Sequence, residues 1–149
     1  MARLVPDAGV LIEYIVSRSP YRLRVAKLID KASTGELELY VSVVTLSELL
    51  YVASRIYQAA GVSDPNRESL VFTDWVKSKT RIIKLDEDIA IRAGELKKKL
   101  RIALPDCHVI ASAEAVKGIP LFKKPEEEMK PVMSDLRRLG VKFLDEVEL

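Results

Sequence analysis

Apolar residues recur along this chain with two periods, and the switches between them mark out its elements. Residues 3–5 read as a short strand. Val10, Leu11, Tyr14 and Ile15 then recur at helical spacing, which predicts a helix over 8–17. Pro20 opens a second helix with Val25, Leu28, Ile29 and Ala32 on its inward face, and Gly35 stops it. A strand over 37–41 leads into a long helix from Thr45 to Gly61, and the turn-rich stretch 61–66 separates that helix from another over 67–78. Residues 81–84 form a β-branched strand, and Asp86 begins a helix whose stripe is Ile89, Ala90, Ala93, Leu96 and Leu100. After a loop closed by Leu104 and Pro105, Asp106 starts a small-residue helix ending at Gly118. A strand over 119–122, a helix to Leu139, a stop at Gly140 and a strand over 141–144 complete the pattern. Strands alternating with helices predict an α/β fold, a three-layer α/β/α sandwich around a mostly parallel sheet, within one domain spanning 1–149.

Composition narrows the chemistry. With 149 residues, 48% hydrophobic and 31% charged, the chain is a globular domain able to bury a core of its own. The single cysteine, Cys107, excludes an internal disulfide and a cysteine-rich zinc site, and the single histidine, His108, excludes a multi-histidine site. Any metal is therefore held mainly by carboxylates, which favours hard cations such as Mg²⁺ or Mn²⁺. No apolar run approaches the roughly 20 residues that span a bilayer. Pro6 and Asp7 interrupt the N-terminus before any signal-peptide core, so the expected compartment is reducing and cytoplasmic, with no membrane partner. The net charge of +2 decides nothing about nucleic acid, but the basic residues cluster, at 97–101, at Lys123 and Lys124, and at Arg137 and Arg138.

Ligands of open parallel sheets gather at the carboxyl ends of the strands. Asp7 follows the first strand, Glu48 lies in the first turn of the helix after the second, Asp106 sits at a helix start, and Glu126, Glu127 and Glu128 follow the strand at 119–122. Several carboxylates brought together from separate segments need a cation between them. Each also has a local explanation. Asp7 suits an N-cap. Thr45 and Glu48 spell a capping box. Asp106 and the glutamate run suit helix N-termini. The cluster Asp86–Glu87–Asp88 reads as capping, Cys107 as a small core residue, and His108, about 200° around the helix from Asp106, as a partner of something else. Trp75 and the tyrosines read as core or interface.

Three segments resemble the motifs of PIN-domain ribonucleases. Leu4-Val5-Pro6-Asp7-Ala8-Gly9-Val10-Leu11 is similar to the family's first strand and helix. Val41-Ser42-Val43-Val44-Thr45-Leu46-Ser47-Glu48-Leu49 is similar to its second acidic motif, and Leu104-Pro105-Asp106-Cys107-His108-Val109-Ile110-Ala111 to its third. They occur in family order, and the resemblance runs from about Arg3 to Leu144. One departure stands out. Where the family carries a fourth acid beyond its fourth strand, this chain has Lys123-Lys124-Pro125, so Glu126, or alternatively Glu128, would have to substitute. Pro6 before Asp7 is also unusual, and its missing N–H predicts that the first strand ends there.

The resemblance implies a Mg²⁺- or Mn²⁺-dependent endoribonuclease in which Asp7, Glu48 and Asp106 are catalytic metal ligands, with Glu126 or Glu128 as a fourth. It further implies an RNA substrate, a homodimer and an antitoxin protein as partner, as in VapBC-type toxin–antitoxin pairs. The apolar residues Leu49, Leu50, Val52, Ile56 and Tyr57 cover more of their helix than one buried face needs, which agrees with an oligomer. An RNA-processing nuclease and a non-catalytic binding domain on the same fold remain open as alternatives. A phosphatase-like domain with Asp7 as nucleophile is disfavoured, because Asp7 has no acidic neighbour before Glu13.

Overall fold

The computed structural model describes residues 1–149. Its five strands are β1 (Ala2–Pro6), β2 (Leu37–Ser42), β3 (Arg81–Ile83), β4 (Ile119–Phe122) and β5 (Lys142–Phe143). They form one sheet in the order β3-β2-β1-β4-β5, and every pairing is parallel. β1 is central, with β2 on one side and β4 on the other, so the strand order reverses at its edges. That reversal opens a crevice at the carboxyl ends of β1 and β4.

Helices cover both faces. On one, α5 (Glu87–Leu100), α6 (Leu104–Val116) and α7 (Met133–Arg138) pack through Ala93, Leu96, Leu100, Val109, Ile110 and Leu136 onto Val5, Phe122 and Phe143. On the other, α2 (Arg22–Ser33) lays Val25, Leu28 and Ile29 on Leu4, Leu39 and Leu121. Beside it, α1 (Ala8–Leu11) meets the hairpin of α3 (Val43–Ala59) and α4 (Pro65–Lys79) through Leu11, Leu49, Ala53, Phe72 and Val76. Leu4, Val5 and Pro6 of β1 and Pro120, Leu121 and Phe122 of β4 are buried in succession, so the inner parts of these strands read as continuous apolar runs rather than alternating ones. No helix is long and apolar enough to cross a membrane.

The elements differ from the sequence pattern where local signals compete. The first helix is α-helical only over Ala8–Leu11 and tightens into a 3-10 turn over Ile12–Ile15. α3 begins two residues before Thr45: Ser42 ends β2 and caps the helix, its Oγ accepting from Val44 N at 3.2 Å. Glu48 therefore stands in the second turn, and the capping box read from Thr45 and Glu48 does not form. α6 begins at Leu104, with Ala103 as N-cap and Pro105 inside the first turn, so Asp106 is its third residue rather than its start. The helix expected directly after β4 is absent. Residues 123–129 turn irregularly, a 3-10 turn covers Lys130–Val132, and only Met133–Arg138 is α-helical. Pro125 and Pro131 withhold two backbone donors that a longer helix would need. The glutamate run thus lies on a loop, not at a helix N-terminus.

The apolar surplus on α3 is largely used within the chain. Leu49 is buried, and Val52, Ile56 and Tyr57 pack half-buried in the cluster shared with α4. The large apolar side chains that remain exposed on the α3–α4 hairpin are Val43 and Tyr51 of α3 and Leu70 and Val71 of α4. Trp75 and Tyr14 stack with their ring centroids 4.5 Å apart, as core rather than as a platform for bases.

Candidate metal centre

Four segments bring carboxylates to the crevice. A pocket of about 260 Å³ is lined by Asp7, Glu48, Asp106 and Glu126, together with Ala8, Gly9, Ile12, Val52 and Ala103. Asp7 is placed by β1: its amide donates to Leu121 O of β4 at 3.0 Å, which fixes it at the strand end. Its Oδ1 accepts from Val10 N at 3.0 Å, so Asp7 is the N-cap of α1 and still presents its second oxygen. A Cβ at Gly9 would stand 3.3 Å from that Oδ2. Glycine there keeps the space beside the carboxylate free.

Glu48 reaches the pocket from α3 and Asp106 from the first turn of α6. The loop after β4 delivers the remaining acids. Oxygens of Asp106, Glu126 and Glu128 all lie within 4.8 Å of one another, a grouping able to hold a cation. The tightest cluster therefore shares only Asp106 with the expected triad, while Asp7 and Glu48 line the same pocket beside it. Glu126 belongs to both sets. Glu128 Oε1 also accepts from Ala103 N at 3.0 Å, tying the loop to the N-cap of α6. Glu127 points elsewhere, to Lys130 at 2.7 Å.

The electrostatics report unbalanced negative charge. Burial pushes the Asp106 carboxyl up to about 8, with further repulsion from Asp7, Glu126, Glu48 and Glu128. Asp7 rises to about 7, again chiefly through burial, with Glu48 and Glu126 adding to it and the Val10 amide and Lys123 pulling back. Glu48 is raised by burial and by Glu126. An all-oxygen donor set, crowded and short of positive charge, with a glycine holding space beside one carboxylate, fits a hard divalent cation.

The neighbouring nucleophile candidates are inert. Cys107 is fully buried, and burial with the adjacent Asp106 charge pushes its thiol up to about 11. His108 lies outside the pocket, and its Nδ1 is buried without a hydrogen-bond partner, so the partner expected for it is missing. Of the basic run at 97–101, Lys97 donates to Ile102 O at 2.7 Å and Lys99 stands 3.8 Å from Asp135, so part of it serves the helix end.

Two participants escaped the sequence pattern. Glu13 is buried, and its Oε1 receives Lys123 Nζ at 2.7 Å across 110 positions of sequence. The available signal was an acid set within the apolar stretch from Val10 to Val16, which requires a buried partner. Gly9 is the other, visible only as one small residue after Asp7.

The sequence matches the PIN domain family model over residues 4–124. The chain belongs to the PIN-domain family. No curated protein matches the sequence. Among solved structures, the fold is similar to a DNA-bound VapBC from Salmonella typhimurium, with a TM-score of 0.66 and 16% identity over 96% of this chain and 97% of that one. It is similar to a toxin–antitoxin complex from Klebsiella pneumoniae, with a TM-score of 0.65 and 18% identity over 97% and 99%. It is also similar to PAE2754 from Pyrobaculum aerophilum, with a TM-score of 0.59 and 17% identity over 93% and 96%. At these identities the likeness is one of fold.

Proposed function

We propose that this chain is a Mg²⁺- or Mn²⁺-dependent endoribonuclease, the toxin of a toxin–antitoxin pair, with Asp7, Glu48, Asp106 and Glu126 holding the cation. The observation that carries the reading is the convergence of these four carboxylates on one pocket at the crevice of the sheet, with Asp7 and Asp106 raised to about 7 and about 8. Carboxylates held in that state gain most from a divalent ion. When bound, the ion would supply a water of lowered pKa and neutralise charge developing on a phosphodiester.

The chain's own residues do the rest. Asp7, pinned by the Leu121 carbonyl and by its cap to Val10, keeps one oxygen free and immobile. Glu48 and Asp106 enter from helices packed on opposite faces of the sheet, so their separation is set by the core rather than by a loop. Glu128, bonded to Ala103 N, anchors the loop that carries Glu126, which answers the Lys123-Lys124-Pro125 departure by reaching the pocket from a few residues further on. No side chain serves as nucleophile, since the Cys107 thiol is buried and raised.

An antitoxin partner, a homodimer and a cytoplasmic site of action belong to the same reading. They are supported by the toxin–antitoxin complexes among the similar folds and by exposed Tyr51, Leu70 and Val71 on the α3–α4 hairpin. The test is cleavage of a broad RNA panel by the purified protein with Mg²⁺ or Mn²⁺, against EDTA and Asp7→Asn. Asparagine caps a helix as well as aspartate, so the variant stays folded. Cleavage by the wild type, lost in both controls, is the expected result. A folded wild type that cleaves nothing with either metal refutes it.

A further inference from the structure

The carboxylate pocket carries a difficulty for the substrate proposed above. An RNA strand is a polyanion, and the crevice it must enter is walled by acids. One cation stands against this wall in a fixed position. Lys123 is the first residue beyond β4, next to the strand end where Asp7 bonds Leu121, and its carbonyl accepts from Leu144 N at 3.4 Å. Its Nζ donates to Glu13 Oε1 at 2.7 Å and lies 5.8 Å from the centroid of the Tyr21 ring. The Glu13 side chain is 10% exposed and the Lys123 side chain 32% exposed, so the pair is buried on the glutamate side and reaches solvent on the lysine side. An ammonium has three donors, and Glu13 takes one. The charge is also felt in the pocket, since Lys123 draws the Asp7 carboxyl downward.

We propose that Lys123, held in place by Glu13 and Tyr21, is the residue that receives a phosphate of the RNA strand beside the carboxylate pocket. The assignment rests on the nuclease reading and adds to it the way this chain uses the basic residue standing where the family's fourth-acid segment should begin. A phosphate oxygen meets the exposed donors of an ammonium that Glu13 has already oriented, so little side-chain freedom is lost on binding. Glu13 is then a positioning residue. It touches no substrate and acts by keeping the ammonium off the carboxylates of the pocket, where the charge would compete with the metal.

The experiment measures two quantities on the full chain: RNA cleavage with Mn²⁺, and Mn²⁺ affinity by calorimetry without RNA. Lys123→Met keeps the aliphatic stem and removes the charge. Cleavage should fall on the order of 100-fold, the usual loss for one preorganised phosphate-stabilising donor, while Mn²⁺ binds several-fold more tightly because a positive charge near its site has gone. A purely structural role would weaken both together. Glu13→Gln should lower cleavage by a smaller factor and leave Mn²⁺ binding no tighter than in the wild type. Lys123→Arg should recover part of the activity and the wild-type metal affinity. Wild-type cleavage matched by Lys123→Met overturns the assignment and leaves the nuclease reading standing. Weakened Mn²⁺ binding in Lys123→Met overturns it as well. A wild type that cleaves no RNA overturns the nuclease reading itself, and this assignment with it.

Discussion

Replacing Asp106 by asparagine should stabilise the metal-free protein. In an unfolded chain the carboxyl titrates near 3.8, and in the folded one burial and four acidic neighbours raise it to about 8. Between those values the native state holds a proton that the unfolded chain has released, so stability falls as pH rises from about 4 to about 8. At pH 7 roughly three pH units of that window have been crossed, and at 1.36 kcal/mol per unit the native state is burdened by about 4 kcal/mol. Asp7 is itself raised by burial and stands among the charges that raise Asp106, so part of the burden stays with the remaining acids and about half, ~2 kcal/mol, is expected to return when Asp106 becomes neutral. Asparagine keeps the size and shape of the aspartate side chain at the pocket wall. For a domain of this size each kcal/mol moves Tm by roughly 2–4 °C, giving a rise of about 4–8 °C. The assay is thermal unfolding followed by circular dichroism in EDTA at pH 5, 6, 7 and 8, repeated with Mn²⁺. The wild type should lose stability with rising pH more steeply than Asp106→Asn, and Mn²⁺ should stabilise the wild type far more than the variant. Parallel pH profiles in EDTA, or a variant that melts below the wild type at pH 7, would refute the electrostatic account of the site.

Two further predictions bear on the scaffold that carries the acids. Ser42→Ala removes the cap that starts α3 and should cost ~1 kcal/mol in a denaturant titration. Thr45→Val should be neutral or slightly stabilising, because Thr45 is buried with its Oγ1 unbonded. Equal losses in the two variants would mean that the helix starts where the sequence suggested. Glu128→Ala strips the acceptor from Ala103 N and frees the loop that carries Glu126, so it should weaken Mn²⁺ binding and cost about 1 kcal/mol. Glu128→Gln, which keeps an acceptor oxygen, should recover the stability. Its Mn²⁺ affinity then tells whether the Glu128 charge also counts in the cluster with Asp106 and Glu126.

Much of the architecture was legible because it is written locally. Asp86 caps α5 through Ile89 N at 2.8 Å, as its position before an amphipathic stripe implied. Asp7 is a helix cap and lines the pocket at once, so its local role does not keep it out of the crevice. The capping-box signal at Thr45 failed for a reason of the same kind. Ser42 offers an equivalent hydroxyl three residues earlier, and a strand that feeds directly into its helix leaves no loop for Thr45 to end. The helix expected after β4 does not form because Pro125 and Pro131 interrupt a charged stretch that otherwise favours helix.

What the sequence determined by itself is the order of the elements, their inward faces and the set of acids placed at element ends, since apolar period, caps and breakers act over a few neighbouring residues. What only the tertiary structure decided is which of those acids share a pocket, that Glu126 and Glu128 approach Asp106 while Glu127 turns away, and that Lys123 is held by Glu13. These depend on the parallel register of β1 with β4 and on helices from opposite faces meeting at one crevice. The energies that fix such a meeting come from burial of the whole core, and no short window of sequence contains them.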